Sequence, residues 1–149
     1  MRAVAQRVRS ARVRVAGEVV AEMAGGLLAL VGVARGDSDD DARSLAEKLA
    51  HLRVFDDADG VMNRSLAETG GTLGVVSQFT LLADCRKGRR PSWADAAPPE
   101  EAEQRLEALV AHALALGVTT VTGRFRADMD VELSNHGPVT LLLDTRRLF

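Results

Sequence analysis

The sequence predicts a single compact mixed α/β domain with two helices, spanning residues 1–149, in the order βββ-α-β-α-βββ. Three observations predict it. The length of 149 residues fits one domain, and a hydrophobic content of 46% can supply a core. Segments of period-two alternation, punctuated by glycine turns, crowd both ends of the chain. Between them lie two stretches whose apolar residues recur at helical spacing.

Residues 2–9 alternate weakly and read as a strand, and Arg12-Val13-Arg14-Val15 alternates cleanly. Ala16-Gly17 is a tight turn and Glu18 to Met23 returns, which makes a hairpin. After Gly25-Gly26, Leu27 to Ala34 is apolar at both parities, as in a strand buried on both faces. The acidic run Asp37-Ser38-Asp39-Asp40-Asp41 opens a helix carrying Leu45, Leu49 and Leu52, where carboxylates suit the positive end of the dipole. Asp56-Asp57-Ala58-Asp59-Gly60 starts like a calcium loop but lacks the later glutamate, and reads as a turn. Gly70-Gly71 opens a strand from Thr72 to Phe79, followed by a basic loop over residues 84–93. Ala97-Pro98-Pro99-Glu100 starts a long helix with Leu106, Leu109, Val110, Ala113, Leu114 and Leu116 on its inner side, and Gly117 ends it. Val118 to Arg124, Met129 to Leu133 and Val139 to Leu143 are the closing strands, the last entered through a Gly137-Pro138 turn.

Composition narrows the function. No apolar run approaches the ~20 residues needed to cross a membrane. Arg2, Arg7 and Arg9 interrupt the start of the chain, leaving no signal-peptide core. The single cysteine, Cys85, excludes an intramolecular disulfide and a multi-cysteine metal site, so a cytoplasmic location is expected. A net charge of −2 argues against bulk capture of nucleic acid but leaves room for a local basic patch. Arg86, Lys87, Arg89 and Arg90 form one candidate patch, and the N-terminal arginines form another. Aromatic residues are 3% of the chain and tyrosine is missing, so nucleic-acid contacts are expected through backbone and shape rather than stacked bases.

A side-chain catalytic engine is hard to assemble. The chain has neither His-Glu-x-x-His nor Cys-x-x-Cys, which makes metal hydrolysis unpromising, and it has no Gly-x-Ser-x-Gly elbow. Ser77, Thr80 and Cys85 are candidate nucleophiles, yet no base adjoins them in sequence. A strand ending in Ser77-Gln78-Phe79-Thr80 can instead aim main-chain N–H groups at a developing oxyanion, often the largest catalytic contribution. Read singly, the same residues also fit a capped strand end, an ordinary Gly-Pro turn and a solvated basic loop.

Three motifs taken together carry more. Ser77-Gln78-Phe79-Thr80-Leu81, Arg86-Lys87-Gly88-Arg89-Arg90-Pro91-Ser92-Trp93 and Asn135-His136-Gly137-Pro138-Val139-Thr140 occur in the order found in the D-aminoacyl-tRNA deacylases, and the chain resembles that family from residue 1 to about 144. The resemblance implies barrel-like β-sheets and hydrolysis of the ester of D-aminoacyl-tRNA, and of glycyl-tRNA, without metal or organic cofactor. It implies that Ser77, Gln78, Phe79 and Thr80 line the pocket for the aminoacylated 3′ end. Thr80 would be a nucleophile, or only a lining residue beside main-chain donors and a tRNA hydroxyl.

Gly137-Pro138 would be cis and reach into the other subunit's pocket, rejecting L-aminoacyl esters, which implies a homodimer with sites across its interface. Arg7 would brace that turn, Phe125 and Met129 would lie near the pocket, and Arg86, Lys87, Arg89 and Arg90 would contact tRNA phosphates. Three positions depart from the family's habit: His136 where an acid is usual, Cys85 where threonine is common, and Arg126 where a small residue is common. Arg146 to Phe149 extends past the matched region. A deacylase of L-alanyl-tRNA with a trans Gly-Pro bond, a non-catalytic tRNA-end binding module and a ligand-free structural dimer are the alternatives.

Overall fold

The fold is organised by its first strand. In the computed structural model, which describes residues 1–148, β1 (Arg2–Val15) is one 14-residue strand where the sequence suggests two segments. Its inward positions are small: Ala3, Ala5, Ala11 and Val13 are buried. β2 (Glu18–Met23) and β3 (Gly26–Gly32) follow, both antiparallel to β1. β3 pairs with residues 2–8 of β1 and β2 with residues 11–15, so the two share one edge of the long strand. The other edge is taken by the last strand, β8 (Asp130–Asp144), along nearly its whole length.

β3 is the second organiser. It runs parallel to β6 (Thr72–Ser77), and β6 runs parallel to β7 (Thr120–Thr122). The sheet order is β2-β1-β3-β6-β7, with β8 added to β1. Both faces of β3 are covered, as its unbroken apolar run predicts. Leu27, Ala29 and Val31 join a core with Leu45, Leu49 and Leu109, while Leu28 joins Val8, Val13, Met23 and Val76 on the opposite face. Gly26 is required here, since a Cβ at that position would sit 1.9 Å from the Thr72 carbonyl oxygen.

Two long helices cover one face. α1 (Asp39–His51) is capped by Ser38, whose side chain accepts from the Asp41 N–H while the Asp41 carboxylate accepts from the Ser38 N–H. α3 (Pro99–Ala115) begins with proline in its first turn, where the missing N–H costs nothing. Between them lies a third helix that the sequence reading omits, α2 (Leu66–Thr69), opened by a Ser65–Glu68 capping box. Four residues are too few to display a helical period.

A small hairpin, β4 (Phe55–Asp56) with β5 (Met62–Arg64), flanks the acidic stretch. The stretch itself is a turn, in which the Asp57 carboxylate accepts from the N–H groups of Asp59 and Val61 at 2.9 and 3.0 Å. Two further boundaries differ from expectation. The strand expected to run to Phe79 stops at Ser77 and becomes a one-turn 3-10 helix, Phe79–Leu82, after the Gln78 N–H makes a last bond to the Val31 carbonyl. The two strands expected around Gly137-Pro138 are one strand interrupted by register shifts against β1.

The chain ends meet in a buried ionic corner. The Met1 ammonium lies 2.9 Å from the Asp37 carboxylate, both side chains being fully buried, and it donates to the Thr145 hydroxyl. Asp37 also accepts from the Ala34 N–H and lies 2.8 Å from the Arg146 guanidinium. Arg146, part of the unassigned C-terminal extension, thus helps to close the domain, whereas Phe149 lies outside the described residues.

Asp41 belongs to the same corner. Burial pushes its pKa up, but hydrogen bonds from Thr145 and Ser38 and the nearby Met1 ammonium outweigh that and bring it down to about 2. A folded-state pKa below the unfolded value gives stability that is complete above the unfolded pKa and lost as pH falls through the folded one. Asp41→Asn should therefore lower stability by about 1 kcal/mol at neutral pH, a magnitude discounted for solvent screening. Urea titrations of both proteins at a series of pH values should show the gap closing between about pH 4 and pH 2.

Candidate active site

The parallel strands β3 and β6 end side by side, and ligand clefts in α/β sheets form outside such carboxyl ends. Here the space is a cleft of about 550 Å³. Its floor comes from Val31, Val33 and Val76, one wall from Ala97, Ala102 and Leu106, and the other from Phe125 and Met129. Ser77, Gln78 and Phe79 form the rim where β6 breaks off. The lining is mostly apolar with a few polar groups, the usual make-up of a small-ligand site.

The break in β6 creates the polar part. Gln78 spends its N–H on the sheet, and its carbonyl accepts from the Leu81 N–H. The next two N–H groups, of Phe79 and Thr80, have no partner among the described residues. The Gln78 side-chain amide donates to the Thr80 hydroxyl oxygen, so that oxygen acts as an acceptor. No histidine lines the cleft, and among the described residues no group of three or more His, Cys, Asp or Glu side chains could hold a metal ion. The arrangement offers main-chain donors, a positioned hydroxyl and an apolar pocket, but no paired base for that hydroxyl.

The structure thus gathers Ser77, Gln78, Phe79, Phe125 and Met129 around one cleft, with Thr80 immediately behind its rim. Gly137 and Pro138 do not line it. They stand exposed on β8, joined by a cis peptide, with Gly137 at φ +123°, a conformation that favours glycine. Arg7 lies directly beneath. Its buried guanidinium donates to the carbonyls of Val54 at 2.7 Å and His136 at 3.3 Å and to the Asp56 carboxylate at 3.1 Å. Asn135 closes the bulge, its amide donating to the carbonyls of Arg7 and Val139, both at 3.0 Å.

Sequence reasoning passes over Asn135, Asp56 and the Val54 carbonyl as supports. An asparagine beside a Gly-Pro pair was the one signal that could have marked such a clamp.

Arg86, Lys87, Arg89 and Arg90 are all exposed on the loop over residues 84–93. Asp84 and Ser92 pin the neck of that loop through paired main-chain bonds of 2.9 and 3.0 Å. Arg86 folds back on Asp84, and its hydrogen bonds hold the Asp84 carboxyl well below the usual carboxylate range. Cys85 is exposed and unpaired with any other cysteine.

The domain is of a class seen in other solved structures. One, titled "c-Myc DNA Unwinding Element Binding Protein", superposes with a TM-score of 0.90 at 32% identity and covers 97% of this chain and 98% of its own. Another, a probable eukaryotic D-amino acid tRNA deacylase, shares the fold with a TM-score of 0.80 at 16% identity, over 95% of this chain and 97% of that one. A protein from Anaeromyxobacter dehalogenans (strain 2CP-C) named D-aminoacyl-tRNA deacylase is 59% identical over 149 residues, all of both chains. The family model described as D-Tyr-tRNA(Tyr) deacylase matches residues 4–144. The chain belongs to that family of hydrolases.

The Arg7 network gives a stability prediction. Lysine carries the charge but cannot present a planar fork to three acceptors at once. Arg7→Lys should cost about 1–3 kcal/mol, because it leaves at least one buried carbonyl unpaired. Chemical denaturation should find this loss larger than that of the exposed control Arg9→Lys.

Proposed function

We propose that this enzyme hydrolyses the ester of D-aminoacyl-tRNA, and of glycyl-tRNA, to free amino acid and tRNA. The observation that carries the mechanism is the pair of unpartnered N–H groups of Phe79, on the cleft rim, and Thr80, the residue after it. Attack on an aminoacyl ester develops negative charge on its carbonyl oxygen, and fixed donors in a water-poor cleft stabilise that charge without reorganising. An aminoacyl ester is already activated, so modest help suffices, and the neighbouring ribose hydroxyl of the terminal nucleotide assists. Thr80 orders the rim rather than attacking, since its oxygen accepts from Gln78 and no base stands by to activate it.

Selectivity comes from Gly137-Pro138 of a second copy of the chain. Its carbonyl oxygens accept the substrate ammonium and fill the space an L side chain requires, while a D side chain points away and glycine has none to reject. The working unit is then a homodimer with two equivalent sites, acting in the cytoplasm on aminoacylated 3′ ends. Arg86, Lys87, Arg89 and Arg90 contact backbone phosphates and position the acceptor arm without reading its sequence. The exposure of both the Gly-Pro bulge and the basic loop supports this reading.

The deciding assay compares D-tyrosyl-tRNA with L-tyrosyl-tRNA in the presence of a chelator, and cleavage of the D ester alone is expected. Cleavage of neither ester by well-folded protein would sink the enzyme reading. A second comparison separates the two roles of Thr80. Thr80→Val should keep kcat within about tenfold, while a substrate ending in 2′-deoxyadenosine should lose roughly 10²–10³-fold, the scale of one essential electrostatic group. The reverse pattern would make Thr80 the nucleophile.

A further inference from the structure

The chain has only five aromatic residues, four phenylalanines and one tryptophan, and its buried core is made of Ala, Val, Leu and Met. Two of the five stand in solvent together. Phe79 is 57% exposed and Trp93 41% exposed, with ring centroids 5.3 Å apart in an edge-to-face pair. This pair is not needed to fill the core. It sits where Phe79 forms the cleft rim and where Trp93 follows the pinned neck of the basic loop. Low aromatic content argues against stacking only if the rings are spread through the protein. Here exposed rings and four exposed cations share one short stretch of surface beside the site.

We propose that Phe79 and Trp93 form a stacking platform for an unpaired base of the tRNA 3′ end, just inward of the terminal nucleotide. The loop cations hold the neighbouring phosphates. Cations alone would grip a duplex or a single strand by charge, whereas exposed π-faces select unpaired bases, because every base offers one. Trp93 contributes area at low entropic cost, and within the edge-to-face pair both rings keep accessible surface for a ligand. Trp93 is therefore a positioning residue that aligns the 3′ end so that the ester meets the Phe79 and Thr80 N–H groups. The inference rests on the deacylase reading for its choice of ligand, but its test does not require turnover.

Trp93 is the only tryptophan, so intrinsic fluorescence reports this one position. The full chain is titrated with a short, unacylated single-stranded RNA ending in CCA. A saturable quench of the emission is expected. An abasic oligonucleotide of equal length and charge should leave the emission unchanged. By anisotropy of labelled RNA, Trp93→Leu should weaken binding by about tenfold or more, while Trp93→Phe should recover most of it.

With acylated substrate, Trp93→Leu should raise KM with a much smaller effect on kcat. Equal responses to basic and abasic strands, or wild-type affinity in Trp93→Leu, would overturn the platform. Quenching by the CCA strand without any ester cleavage would keep the platform and reject the enzyme reading. Cleavage of the D ester without base-dependent quenching would reject the platform alone.

Discussion

A strand has two edges, yet β1 pairs with three strands, and most of the architecture follows from that constraint. β8 takes one edge, and β3 and β2 must divide the other. The changeover lies between Val8, paired with Gly26, and Ala11, paired with Met23. The β8 pairing slips twice across the same region, between Gln6 and Ser10. The Gly137-Pro138 bulge stands opposite this slip and projects outward. Arg7 fills the space beneath, and its three acceptors come from the carbonyl before Gly137, from Val54 just ahead of β4 and from Asp56 at its end. A buried guanidinium is costly unless each direction of its fork is satisfied, so these groups fix one another's positions.

The cleft depends on a second constraint, the parallel alignment of β3 with β6. Close approach at Gly26 sets their register, and five residue pairs later Val31 faces Ser77. β6 then leaves the sheet with the Gln78 bond to Val31, and the 3-10 turn that follows has its leading N–H groups unspent. The polar groups at the cleft rim are thus set by where a strand stops. The surface charge is divided in a similar way. The molecule carries a net −2, while the loop over residues 84–93 concentrates four exposed cations, so a local positive field stands on a chain that is acidic overall.

Much of this was legible from residues. The apolar run at Leu27 to Ala34 reads correctly as a strand covered on both faces, and Ser38, Pro99 and Gly117 mark helix ends through local chemistry. What local pattern misses is set by distant partners. β6 ends at Ser77 because of Val31, 46 positions earlier in the chain, and no property of Phe79 signals the change. β8 is continuous because β1 pairs on both sides of the Gly-Pro bulge, although the sequence there reads as a turn. α2 is too short for periodicity. Ser77, Gln78 and Phe79, which line the cleft, stood out as a motif, but Asn135 and Asp56 act through a carbonyl and a guanidinium of Arg7, far away in sequence.

The scarcity of aromatic residues bears on how such a site is held. A core built from Leu, Val and Ala packs by many small contacts and can be covered by two helices without large rings. Phe55 and Phe125 pack against the edge of that core, while Phe79 and Trp93 stay exposed. Phe125 walls the cleft, Phe79 forms its rim and Trp93 leans on Phe79 from the loop neck. An exposed phenylalanine or tryptophan gives up the ~2–3 kcal/mol it would gain by burial. A core already complete without these rings can bear that cost. Among the described residues, three of the four rings, Phe79, Trp93 and Phe125, thus gather at or beside the cleft.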